Sequence, residues 1–235
     1  MLNFTKRNTD PEEMDQLSVS RETLRRVYDD INRSNRLLGG NRITIDAVRQ
    51  VVRDFPQESY TILDVGCGDG EMLRRLVLWA RKHGIEVICT GVDLNERALE
   101  LAREKSKDFP EINYLQQDVL HLDPDLPCDI LLCTLTMHHF SDRQIPVFLN
   151  RFVHLAKIGV IVNDLQRSVL AYVLFRAFSL IFIKTKMARN DGKTSIKSGF
   201  TLKGLRAFSR NIPERRHRIK WKWAFRYVWV LSPKV

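Results

Sequence analysis

The spacing of apolar residues changes character three times along the chain. Residues 21–35 and 43–54 read as two helices, and Leu24, Val27, Tyr28 and Ile31 fall three, four and seven apart, on one helical face. Gly39-Gly40 separates the two as a turn. From residue 60 short apolar runs alternate with helical segments. Strands are predicted at 60–65, 86–92, 112–116, 130–135 and 158–163, and helices at 71–83, 96–106 and 145–155. Gly84 stops the first of these helices and Pro110 lies just beyond the second. Such alternation predicts parallel βαβ units with helices on both faces of the sheet. Beyond Asp164 the rhythm breaks. Residues 169–183 are almost continuously apolar but carry Arg176, and they fall short of the roughly 20 residues a spanning helix needs, so a buried or lid helix is expected. Residues 185–198 read as a polar loop, 201–210 as a helix, and 218–223 with 225–231 as an antiparallel hairpin with alternating aromatics.

The length, 235 residues, suits one α/β domain with a sizeable core. The expected organisation is an N-terminal helical cap over residues 1–55 and a main domain over 56–235, with residues 165–200 inserted as a substrate lid. Residues 1–15 are polar and expected to fray. They lack the basic and apolar regions of a secretory leader, so a cytoplasmic location is expected. The four cysteines, Cys67, Cys89, Cys128 and Cys133, form no C-x-x-C pair and sit in or beside apolar runs, which predicts reduced, buried thiols and no zinc site.

Charge adds an asymmetry that periodicity does not reveal. Residues 165–235 hold 17 Lys/Arg against 2 Asp/Glu, a balance of +15, while residues 1–164 hold 21 against 26, or −5; together they make the net +10. The basic third implies an anionic partner, whether an acidic substrate, a membrane surface or nucleic acid, or else a solvated basic face.

Candidate chemistry gathers where the predicted strands end. After the first strand stands Asp64-Val65-Gly66-Cys67-Gly68-Asp69-Gly70, whose glycines let the backbone turn tightly and approach a ligand. The spacing is G-x-G-x-G rather than the dinucleotide G-x-G-x-x-G. Asp93, followed by Leu94, ends the second strand, where a carboxylate can accept bonds from vicinal ribose hydroxyls. Asp118-Val119 follows the third, where an acid can take the exocyclic amine of an adenine. Open α/β sheets bind ligands at these carboxyl ends.

The run from Ile62 to Gly70, then Asp93, then Asp118, resembles the successive motifs of class I S-adenosylmethionine (SAM)-dependent methyltransferases. The resemblance is strongest over residues 60–164. It implies a Rossmann-like, seven-stranded, mostly parallel sheet whose last pair is antiparallel, with SAM as cofactor. It also implies that Gly66 and Gly68 approach the methionine part, that Asp93 holds the ribose and that Asp118 with Val119 flanks the adenine, with Asp64, Cys67, Gly70, Leu94 and Thr134 as further cofactor-binding residues. Thr134-Leu135-Thr136-Met137-His138-His139-Phe140 and the segments Asp164 to Ser168, Arg189 to Gly192 and Ser198 to Thr201 are similar to small-molecule methyltransferases of polyketide and quinone-type biosynthesis. In such relatives a segment like Ile31 to Gly40 folds over the cofactor.

The resemblance leaves the acceptor open. His138 and His139 are the candidate catalytic residues, one as base or orienting group for an oxygen nucleophile, because histidine titrates near working pH. The apolar and basic insertion predicts a small hydrophobic or aromatic, anionic acceptor, with Arg167 and Arg189 as substrate-binding residues. Peripheral membrane contact is a further possibility raised by residues 169–183. Two other readings stand beside this one. Basic residues interleaved with Trp221, Trp223, Phe225, Tyr227 and Trp229 could serve an RNA methyltransferase, although the alternation also suits a half-buried strand pair. A fold that binds SAM without turnover is the other. Neither the oligomeric state nor the methylated atom is legible.

Overall fold

A computed structural model of the chain describes residues 4–16 and 18–234. Two helices, α1 (Arg21–Leu37) and α2 (Gly40–Asp54), precede the sheet. Strand β1 (Ser59–Val65) leads into α3 (Glu71–His83), β2 (Glu86–Asp93) into α4 (Glu96–Lys105), and β3 (Ile112–Gln116) into β4 (Ile130–Thr134). Then come α5 (Ile145–Leu155), β5 (Gly159–Leu165), three successive helices α6 (Val169–Phe182), α7 (Lys186–Ser198) and α8 (Leu202–Ser209), and the hairpin β6 (Arg215–Lys222) and β7 (Arg226–Pro233). The described strands form one sheet in the order β3-β2-β1-β4-β5-β7-β6. β1 to β5 run parallel and β7 runs against both neighbours, the Rossmann-like arrangement expected.

Local chemistry explains where these elements start. Ser20, Asn95, Ser168, Thr185 and Thr201 cap α1, α4, α6, α7 and α8, each side chain accepting a first-turn backbone N–H. Gly84 stops α3 in the left-handed conformation, its N–H returning to Ala80 and Arg81 carbonyls. The sheet has a core on each face. Leu149, Phe152 and Trp229 belong to one, and Val48, Leu73 and Leu76 to the other. All four cysteines are buried and free.

Three expectations are corrected. Residues 185–198 are not a loop but α7, because Thr185 caps it and Ala188, Asp191, Ser195, Ile196 and Ser198 make a buried stripe that small and polar residues disguise. The start is not frayed over residues 4–15: Met14 is buried, and Arg7 donates to the carbonyls of Ser198, His138 and Phe140. Met1 to Asn3 lie outside the described residues. Finally, the hairpin is not half-buried throughout. Residues 226–231 of β7 are buried on both faces, since it lies between β5 and β6. β6 takes the edge, with the alternating Arg216, Arg218, Lys220 and Lys222 that discourage edge-to-edge pairing.

Candidate active site

The carboxyl ends of β1, β2 and β4 open onto a cavity of about 840 Å³. The glycine loop forms one wall. Gly66, Gly68 and Gly70 all have positive φ (69°, 53° and 75°), which side chains rarely tolerate. At Gly68 the constraint is doubled, because a Cβ would lie 2.8 Å from the Tyr28 ring that α1 lays across the loop. Asp93 fixes this loop: its carboxylate accepts the N–H of Gly68 at 2.9 Å and of Asn95 at 2.9 Å. Asp118 caps the short turn Val119–His121 through Leu120 N–H.

Of the predicted cofactor residues, Asp64, Gly66, Cys67, Gly68, Asp93, Leu94, Asp118, Val119 and Thr134 line this cavity. Gly70 does not; it caps α3 and packs on the Tyr114 hydroxyl. Ile31, Asn32 and Leu38 from the α1–α2 cap also line it. Asp64 is the most informative wall residue. Its Oδ1 is buried without a hydrogen-bond partner, and burial, with Asp93 nearby, pushes its carboxyl up to about 8. A cationic ligand would relieve both penalties.

The two histidines have parted roles. His138 is buried, with Nδ1 2.8 Å from Asp164 Oδ1 and Nε2 3.2 Å from Glu12 Oε1. Burial works to lower its pKa, but the two carboxylates outweigh it and raise the ring to about 10. Both nitrogens therefore donate and the ring is an imidazolium, locked in place. His139 stacks on it at 4.4 Å and is part-exposed to the cavity, its Nδ1 3.2 Å from Asp15. Glu12, His138 and His139 also bring three possible metal-ligand atoms within 4.8 Å, but Glu12 Oε1 already accepts from His138 and from the Ser195 hydroxyl.

The predicted substrate arginines are committed elsewhere. Arg167 donates to the carbonyls of Phe4 and Gly199, and Arg189 to that of Ile183; neither lines the cavity. The cavity's buried arginine is Arg226, which sequence reading passed over as one more basic residue of the hairpin. Its guanidinium packs on Gly40, where a Cβ would meet Cζ at 3.0 Å, and Nη2 donates to Asn35 Oδ1 at 2.7 Å. Its Nη1 is buried with no partner, and burial lowers its pKa to about 10 despite the charge of Asp164. Glu12 was invisible as a site residue, and Asp164 was singled out only as the start of the segment Asp164 to Ser168. Leu174, Phe175 and Phe178 of α6, with Ile196 of α7, supply an apolar end to the same cavity.

Comparison with known proteins bears on the fold and on residues 62–159. Residues 62–159 match a family model described as a methyltransferase domain. The chain is 32% identical over 115 residues to a ubiquinone biosynthesis O-methyltransferase of Rickettsia conorii, covering 48% of this chain and 37% of that protein. It is 26% identical over 88 residues to malonyl-[acyl-carrier protein] O-methyltransferase 1 of Ilyobacter polytropus, covering 37% of this chain and 31% of that one. The chain thus spans about a third of the length of these curated relatives. Among solved structures it is similar to the plantazolicin methyltransferase BpumL in complex with SAH (TM-score 0.67, 15% identity, 91% of each chain). It is also similar to the magnesium protoporphyrin IX methyltransferase ChlM of Synechocystis PCC 6803 (TM-score 0.58, 15% identity, 91% of this chain and all of that one). The resemblance to methyltransferases thus holds in sequence over residues 62–159 and in fold over most of the chain.

Proposed function

We propose that this methyltransferase-like chain binds SAM between the glycine loop, Asp64, Asp93 and Asp118, and transfers its methyl group to an oxygen of a small, hydrophobic, anionic acceptor. The observation that carries this reading is the continuity of one cavity, from the glycine loop past His139 to the apolar wall of α6. The unpartnered Asp64 carboxyl suits the cofactor's ammonium, and the carboxylate of Asp93 keeps lone pairs free for ribose hydroxyls. SAM supplies a methyl group already activated on a sulfonium. The protein's part is to align the acceptor, exclude water and take up a proton. With the cofactor bound, His139 would take up the proton of the acceptor hydroxyl, leaving that oxygen as the nucleophile. His138 holds that ring by stacking and cannot itself serve as base, because it is already protonated. Arg226 takes the part foreseen for Arg167 and Arg189, meeting the acceptor's carboxylate. The helices of residues 1–55 serve as cap and the insertion 165–200 as lid. A chamber walled by α6 favours a small lipophilic acceptor over RNA, which needs an open basic trough.

The test combines calorimetry with SAH and a labelled-methyl assay on phenols with and without a carboxylate. SAH binding is expected, with transfer to carboxylated phenols. His139→Ala should lower kcat about 100-fold with SAH affinity kept. Arg226→Gln should raise KM for carboxylated phenols only. SAH binding without transfer to any phenol would leave a binding module; no SAH binding would end the reading.

A further inference from the structure

The two faces of α6 are out of balance. Its inner face carries Ala171, Phe175 and Phe178 to the cavity. Its outer face should be polar on a water-surrounded protein, and it is not. Val169, Leu170 and Val173 are each more than half exposed, and Leu180 and Ile181 are 71% and 76% exposed. With Ala177, these positions are spaced three, four and seven apart and form one continuous apolar stripe. Two exposed indoles, both packed near Phe225, lie close to the N-terminal end of the helix. Trp223 is 63% exposed, and Trp221 is anchored through Nε1 to Gln166, just before the helix begins. Contiguous exposed apolar surface of this kind marks a docking site.

Charge identifies what docks. Arg176 borders the stripe, and the exposed Lys184 and Lys186 follow its C-terminal end. Residues 165–235 carry 17 basic against 2 acidic groups, and Asp191, one of the two acids, is buried. Among the described residues the only ion pair to a carboxylate from this third joins Arg218 to Asp54 at 3.9 Å. Arg167, Arg189 and Arg226 are committed inside the fold, whereas Arg176, Lys184 and Lys186 are exposed and make no ion pair among the described residues. A second copy of the chain on a two-fold axis would set these cations against their own kind. An anionic bilayer surface satisfies both features at once, because apolar and indole groups enter the interface while lysine and arginine meet lipid phosphates. The helix has 14 residues, and no helix among the described residues is long and apolar enough to cross a membrane, so α6 would lie in the plane of the interface.

We propose that the outer face of α6, with Trp223 and the flanking Arg176, Lys184 and Lys186, is a docking surface for an anionic lipid bilayer. The proposal rests on this surface alone and not on turnover, so it and the enzymatic reading can fail separately.

Vesicle flotation tests it, using phosphatidylcholine vesicles with and without about one third phosphatidylglycerol, at low and high salt. The wild-type chain should partition onto anionic vesicles at least tenfold more strongly than onto neutral ones, and less strongly in high salt. Leu180→Asp with Ile181→Asp, positions that do not line the cavity, should weaken partition at least tenfold while SAH affinity and melting temperature stay as in wild type. If that pair prevents folding, Lys184→Glu with Lys186→Glu tests the electrostatic half, with the same loss expected. Three outcomes would overturn the proposal: no partition onto anionic vesicles, variants that partition like wild type, or a wild-type dimer in sedimentation that Leu180→Asp with Ile181→Asp converts to monomer.

Discussion

His138 is the residue whose environment departs furthest from what its place in the chain suggests. A histidine beside a cofactor motif looks like a base, yet the Asp164 and Glu12 carboxylates hold it as a buried cation. The pH consequence follows from direction. Its pKa rises from 6.5 to about 10 on folding, so its stabilising contribution is complete below pH 6.5 and is lost as pH climbs through 10. Burial pushes Asp164 and Glu12 up, but His138 more than offsets this and leaves both below their ordinary values, so their contributions fade as pH falls below about 4. His138→Asn should cost roughly 3–5 kcal/mol at neutral pH by stranding buried carboxylates, visible as a lower Tm. An unchanged Tm would contradict the buried-cation assignment. The site was legible where chemistry is local. Asp64, Gly66, Gly68, Asp93 and Asp118 sit at strand ends and announce themselves by spacing. Glu12 lies 126 residues from His138, and Arg226 lies 191 from Asn35, so no spacing rule could pair them.

Among elements, the join between α1 and the insertion shows how a short polar contact positions a wall. Asp30, buried on α1, accepts the N–H groups of Lys184 and Thr185 and the Thr185 hydroxyl, at 2.7 to 3.1 Å, where α6 turns into α7. Asp30→Ala should cost roughly 1–3 kcal/mol. Amide exchange should quicken in α6 and α7 while the central strands stay protected; uniform quickening would instead mean that the join is global. The βαβ elements were legible because strand and helix periods alternate cleanly. α7 was not, since its buried stripe is built mostly of alanine, serine and aspartate, with Ile196 its one large apolar residue. The N-terminal segment was missed for the same reason: its anchors are Arg7, Glu12 and the Asp191 carboxylate that accepts Glu13 and Met14 N–H, all polar groups.

For the whole molecule, the acidic end of the cavity, where SAM is proposed to bind, would make ligand binding and proton release one event. Burial first, then Asp93, raise Asp64 to about 8, so at pH 7 the ligand-free carboxyl is mostly protonated. A cationic cofactor lowers that pKa and expels the proton, and affinity should therefore weaken as pH falls from 8. Calorimetry at pH 7 in buffers of different ionisation heat should register about one proton released per SAM bound. A buffer-independent heat would exclude Asp64 as the group that meets the cation. The lining of the cavity also takes in Glu12, Met14 and Asp15, from a stretch that sequence alone treats as a tail. That has a practical consequence for anyone handling the molecule. A variant trimmed past Glu12 would lose part of the lining of the cavity itself. Activity compared between differently prepared samples would then report on the preparation as much as on the catalyst.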